Sequence, residues 1–201
     1  MTAIKICGIT RAEDANAAVQ LGADALGFIL WQHSPRHVDL DVAAGIIATV
    51  PSTVSTVAVF VNPSEGDLID AQAAGFRVAQ VHERMPRVNG TTIQIMRAVH
   101  LSASGDGIEP DVPGDQTILL DAHDPVLRGG TGRTVDWTRA RKIADARPIF
   151  LAGGLTPANV AEAIRTVRPY AVDVASGVEA SPGVKDHASL RAFIKAVKET
   201  V

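Results

Sequence analysis

The stretch Pro148-Ile-Phe-Leu-Ala-Gly-Gly-Leu-Thr-Pro-Ala-Asn-Val160 carries the plan of the whole chain in thirteen residues. Pro148–Ala152 is an apolar run of strand length, with no polar face for solvent, as in a strand covered on both sides by helices. Gly153-Gly154 breaks it. Thr156-Pro157 reads as a helix cap followed by proline at the first helical position, opening a helix over Ala158–Thr166. A second apolar run, Ala171–Ala175, comes next. Strand, glycine turn, helix, strand is the unit from which parallel sheets with right-handed crossovers are built.

The same unit recurs in both directions. Strands are expected at Ala3–Cys7, Ala25–Leu30, Thr56–Val61, Arg77–His82, Thr92–Met96 and Thr117–Asp121, besides the two above. Helices are expected over Ala12–Leu21 (Thr10 as cap, Glu13 in the capping-box position, Gly22 as stop), Val42–Thr49, Leu68–Ala74 and Leu190–Lys198. The segments after the fourth and fifth strands, His82–Thr91 and Ser102–Gln116, carry prolines and glycines that disfavour full helices. Eight repeats in 201 residues suit a compact (β/α)₈ barrel, one domain over 1–201, with those two outer helices abbreviated. A doubly wound open sheet competes. It lacks a G-x-G-x-x-G after the first strand, and Gly153-Gly154 comes too late for that role.

Composition excludes several classes. The net charge of −3 and the lack of a basic cluster argue against nucleic acid, and 4% aromatics leaves little to stack on bases. No apolar run approaches the ~18 residues of a membrane span, and Met1–Gly8 reads as a strand and not a secretory signal. The cytoplasm is the default location. One cysteine excludes an internal disulfide, and no Cys/His spacing suggests a metal site. Exposed helix faces are polar enough for a monomer, with a homodimer as the alternative.

Barrel chemistry sits at the C-terminal ends of the strands. Those ends supply Cys7, Arg36 after Ser34-Pro35, His82, Asp121, Asp173, and the glycine loops Gly153-Gly154 and Ser176-Gly177. A lone cysteine is often only a small buried hydrophobe, but Cys7 lies where its strand meets a glycine and leaves the core. As a thiolate it would accept a proton. Asp121 reads either as a cap for loop amides or as a general acid facing that thiol. Arg36 is either a solvated surface charge or a fork for a planar carboxylate. The loops after strands seven and eight bring glycine amides where barrels commonly hold phosphate. His82 and Asp173 read as rim hydrogen-bonding residues or substrate contacts. Gly129-Gly130-Thr131-Gly132 lacks the Lys-Ser/Thr of a nucleotide loop and reads as a substrate-covering loop.

These residues fall in motifs of a known family. Lys5-Ile-Cys-Gly-Ile-Thr10, Gly27-Phe-Ile with Ser34-Pro-Arg36, Val59-Phe-Val-Asn62, Leu119-Leu-Asp121, Gly129-Gly-Thr-Gly132 with Asp136-Trp137, Leu151–Val160, Asp173–Glu179 and Ser181–Asp186 follow one another in order. Together they resemble the phosphoribosylanthranilate isomerases of tryptophan biosynthesis over nearly the whole chain. The resemblance implies a cofactor-free Amadori rearrangement of a phosphosugar–anthranilate substrate. It implies Cys7 as general base, Asp121 as general acid and Arg36 on the anthranilate carboxylate. His82 and Asp173 would be further substrate contacts, and Gly153, Gly154, Ser176 and Gly177 would hold phosphate. The family's usual Val-Gln-Leu-His-Gly appears here as Ala79-Gln-Val-His-Glu83, its usual Phe before Asp-Trp is Val135, and Trp31-Gln32-His33 occupies the second-strand loop. A dual-substrate relative with an aspartate on the first strand fits less well, because Cys7 stands there. A non-catalytic phosphosugar-binding module fits less well because Cys7 and Asp121 are both present.

Overall fold

The computed structural model describes residues 1–86, 88–100, 117–121 and 137–200. Eight parallel strands close into a barrel: β1 (Ala3–Cys7), β2 (Ala25–Ile29), β3 (Ser55–Val61), β4 (Val78–His82), β5 (Gln94–His100), β6 (Ile118–Asp121), β7 (Ile149–Ala152) and β8 (Ala171–Val174). Closure comes from β1, which pairs with β2 through Lys5↔Ala25 and with β8 through Lys5↔Asp173. The described helices are α1 (Ala12–Leu21), α2 (Leu40–Ile47), α3 (Glu65–Ala73), α4 (Trp137–Ala146), α5 (Val160–Val167) and α6 (His187–Lys198). A short antiparallel pair, β9 (Glu179–Ser181) and β10 (Val184–Lys185), follows β8 and a 3₁₀ turn at Ser176–Val178.

Period-two alternation explains why the strands read as apolar throughout. On β1, Ile4 and Ile6 face outward into the layer shared with Ala15, Leu68 and Phe193 of the helices. Cys7 instead joins an inner cluster with Ala25, Val57, Met96, Leu119 and Ala152. Each strand thus buries both faces, and a fully buried Leu or Ile is worth roughly 1.5–3 kcal/mol.

The sequence-based boundaries hold to within a few residues, with four corrections. Strand β5 runs Gln94–His100, not Thr92–Met96, because its pairing with β6 extends to His100↔Asp121. Thr10 does not cap α1: Arg11 occupies the cap position, the Thr10 hydroxyl donates instead to the Gly183 carbonyl, and Glu13 pairs with Arg11. Gly22 ends that helix at φ 98°, as a left-handed stop should. Pro157 lies in a turn and not at the first helical position; the Asn159 side-chain oxygen accepts from Thr156 N, and α5 begins at Val160. Finally, α4 is a full helix with no counterpart among the sequence expectations. No helix occurs among the described residues between β4 and β5. Residues 101–116 between β5 and β6, the Gly129–Gly132 loop, Val135 and Asp136 lie outside the described residues.

Candidate active site

Cys7, at the last position of β1, is 5% exposed, and its chain then turns at Gly8 with φ 76°. Asp121 ends β6, half-buried. Gly153 and Gly154, both left-handed at φ 90° and 65°, follow β7, and the Ser176-Gly177 turn follows β8. A cavity of about 300 Å³ is lined by Asp121, Gly153, Gly154, Asp173, Ser176 and Gly177 together. Six residues from three strand ends, singled out separately in the sequence, thus share one concavity. A larger cavity of about 720 Å³ opens at the opposite, strand-start end around Ala3, Ser55, Gln94 and Tyr170, away from the thiol.

Arg36 sits over the same mouth, and its side chain is fixed. Glu179 accepts from Nε at 2.9 and 3.0 Å and pairs with Nη2 at 2.8 Å. The Nε–Nη2 edge of the guanidinium is therefore occupied, and the Nη1–Nη2 edge is left to fork onto a carboxylate. Glu179 is in turn held by Lys185 Nζ at 3.0 Å. That ammonium is fully buried and also donates to the carbonyls of Cys7 (2.6 Å) and Ala175 (3.3 Å). One buried cation thus ties the thiol-bearing strand, the β8 loop and the arginine clamp. Burial pushes the Glu179 carboxyl upward, but the hydrogen bonds from Arg36 and the Lys185 charge outweigh it and hold it below the usual range.

His82 ends β4, across the barrel from β8, and like Arg36 and Cys7 it does not line the cavity. The buried Gln80 amide nitrogen lies 2.8 Å from its Nε2, within hydrogen-bond distance. Among the described residues, Gln80 Oε1 has no hydrogen-bond partner. Asp173 lies inside the barrel on β8, 8% exposed, with Oδ1 2.9 Å from Lys5 Nζ. Among the described residues no three His, Cys, Asp or Glu side chains group to hold a metal ion, and no helix is long and apolar enough to cross a membrane.

A model of the family N-(5'-phosphoribosyl)anthranilate (PRA) isomerase matches residues 4–196. The chain belongs to the PRA isomerase family. A family relative, N-(5'-phosphoribosyl)anthranilate isomerase of Pseudomonas fluorescens (strain Pf0-1), is 46% identical over 200 residues, covering 96% of this chain and 97% of its own. Phosphoribosyl anthranilate isomerase from Thermotoga maritima superposes with a TM-score of 0.83 at 36% identity, covering 98% of this chain and 99% of that one. A phosphoribosyl anthranilate isomerase solved with reduced 1-(o-carboxyphenylamino)-1-deoxyribulose 5-phosphate gives 0.80 at 34% identity, with the same coverage.

Departures from the usual PRA isomerase motifs now have structural meaning. Glu83, where the motif has glycine, sits at φ 62°, the left-handed region that glycine enters most easily. Its carboxylate accepts from Asn62 Nδ2 at 2.5 Å, and Asn62 Oδ1 accepts from Arg84 N at 2.9 Å, so a side-chain link joins the β3 and β4 loops. Trp31 packs edge-on to His33 in the β2 loop, ring centres 5.3 Å apart. Sequence reasoning did not identify Glu179, Lys185 or Gln80 as site residues. The first two lie in motifs it quoted, but their partners are 143 and 178 residues away. For Gln80 the available signal was a polar side chain at an inward position of a strand.

Proposed function

We propose that the protein converts N-(5-phospho-β-D-ribosyl)anthranilate to 1-(2-carboxyphenylamino)-1-deoxy-D-ribulose 5-phosphate, with Cys7 as general base and Asp121 as general acid. The observation that carries this reading is the cavity lined by Asp121, Asp173 and both glycine loops, at the mouth where Cys7 ends β1. The Asp121 carboxyl delivers its proton to the furanose ring oxygen as the bond to C1′ breaks, and the anthranilate nitrogen forms the Schiff base. The Cys7 thiolate then takes the C2′ proton, and the freed pair becomes the enolamine, which tautomerises to the ketone. One proton is given and one taken, so the sequence of steps balances without a cofactor. The amides of Gly153, Gly154, Ser176 and Gly177 hold the phosphate. The open edge of Arg36 takes the anthranilate carboxylate, and Asp173 and His82 complete the substrate contacts.

The test is a fluorescence assay of phosphoribosylanthranilate consumption by the purified protein and by Cys7→Ala. The wild type should turn over, and the variant should lose turnover while still binding a product analogue. Near-normal turnover in Cys7→Ala would remove the base assignment.

A further inference from the structure

A buried ammonium in a barrel interior calls for an explanation. Lys5 is 0% exposed, faces inward two residues before Cys7, and would cost several kcal/mol to bury alone. Asp173 supplies one partner at 2.9 Å, and an ammonium has three N–H donors to place. Its other near neighbour is the thiol. A Cβ placed on Gly27 would lie 2.9 Å from Cys7 Sγ and 3.0 Å from Lys5 Nζ, so both groups occupy the space that this glycine leaves open on β2.

We propose that Lys5 is the counter-ion of the Cys7 thiolate, and that Asp173 positions the ammonium so that its charge is matched whether Cys7 carries a proton or not. The proposal rests on the reading of Cys7 as base. Charged groups near the thiol come from three elements: Lys5 on its own strand, Asp173 on β8, and Lys185 on β10, whose Nζ meets the Cys7 carbonyl oxygen. Strand β2 offers only Gly27, and Asp121 faces the mouth from β6. Burial disfavours the thiolate and pushes the thiol above its ordinary range; Lys5 opposes that most strongly, Asp173 adds to it, and Lys185 opposes it. Burial also acts to discharge Lys5, but Asp173, joined by Cys7 whenever it is a thiolate, outweighs it and keeps the ammonium charged. When the thiolate takes the C2′ proton, an S–H bond forms, the C–H pair passes to the substrate, and Asp173 alone balances Lys5. No buried cation is stranded at either stage, and Lys5 itself moves no proton.

Cys7 is the only cysteine, so thiolate absorbance and the pH dependence of iodoacetamide alkylation report this one group. Lys5→Met should raise the apparent thiol pKa and slow alkylation near about pH 7 by about tenfold per unit raised. Asp173→Asn should shift it the opposite way, with faster alkylation. An unchanged thiol in Lys5→Met, or an unchanged or raised one in Asp173→Asn, overturns the proposal. If Lys5→Met does not fold, the direction of the Asp173→Asn shift decides alone. Turnover of Cys7→Ala is read separately: a normal rate there removes the base assignment, whereas an inert Cys7→Ala with unshifted thiols removes only the counter-ion.

Discussion

Gly177→Ala is the substitution that most directly probes the two anion loops. Gly177 does not have a left-handed backbone; what it lacks is room. A methyl at that position would lie 1.9 Å from the Leu155 carbonyl oxygen, 3.0 Å from its carbon and 3.2 Å from Thr156 Cα, all backbone atoms of the β7 loop. The loops after β7 and β8 must therefore part by about 1.5 Å to restore ordinary van der Waals contact. A hydrogen bond of ordinary length does not survive such a shift. Losing one charge-assisted bond to phosphate costs about 1.5–3 kcal/mol, which raises KM by about tenfold to a hundredfold. The strain costs about 1–3 kcal/mol of stability in addition. Gly154→Ala is the control. Its φ is 65° and its Cβ would meet nothing within 4 Å among the described residues, so that variant carries a left-handed penalty of about 1–2 kcal/mol. Steady-state kinetics, competition by inorganic phosphate and urea unfolding check both. An unchanged KM and unchanged phosphate competition in Gly177→Ala would refute the assignment of phosphate to these loops.

Other outcomes follow from the same contacts. Asp121→Asn should abolish turnover with substrate affinity retained, since an amide has no proton to deliver to the ring oxygen; substantial kcat in that variant would contradict the acid role. Lys185→Met leaves Glu179 and two carbonyls without their buried partner and should cost about 3–5 kcal/mol in chemical denaturation; a loss below about 1 kcal/mol would show the contacts to be incidental. The Glu179 carboxyl is depressed in the folded protein, so its stabilisation is present above the unfolded value of about 4.3 and is lost as pH falls through the folded one. Glu179→Gln should accordingly lose less stability than wild type on acidification, and parallel acid-unfolding curves would count against this. The same variant unlocks Arg36 and should raise KM more than it lowers kcat.

The eight strands were legible because both-sided burial leaves an apolar run that any pattern search meets, whereas helix ends such as those at Gly22 and Ser64 are set by near neighbours. Ser64 accepts from Asp67 N at 3.2 Å while Asp67 Oδ2 accepts from Ser64 N at 2.7 Å, a box written within four residues. Helix α4 escaped for the opposite reason. Trp137-Thr-Arg-Ala-Arg-Lys-Ile-Ala-Asp-Ala146 carries four charges, and only Trp137 and Ala140 are buried, too thin a stripe to stand out. Thr10 was misread because its hydroxyl answers to Gly183, 173 residues on. The site divides in the same way. Residues at strand ends, such as Cys7 and Asp121, follow from counting strands, whereas the side chains that hold Arg36 and the thiol-bearing strand are set by closure of the barrel and by β9 and β10.

That closure has a temporal side. Strand β1 is made before the other seven barrel strands, yet its partners on one edge are residues 171–174, and its Lys5 and Cys7 are tethered by Asp173 and Lys185. Until β8 to β10 are synthesised, β1 lacks one of its two edges, Lys5 lacks Asp173, and the Cys7 carbonyl lacks the hydrogen bond from Lys185. Before then the barrel cannot close around Cys7, and its thiol stays open to solvent. Completion of β8 to β10 both seals that vulnerability and assembles the site.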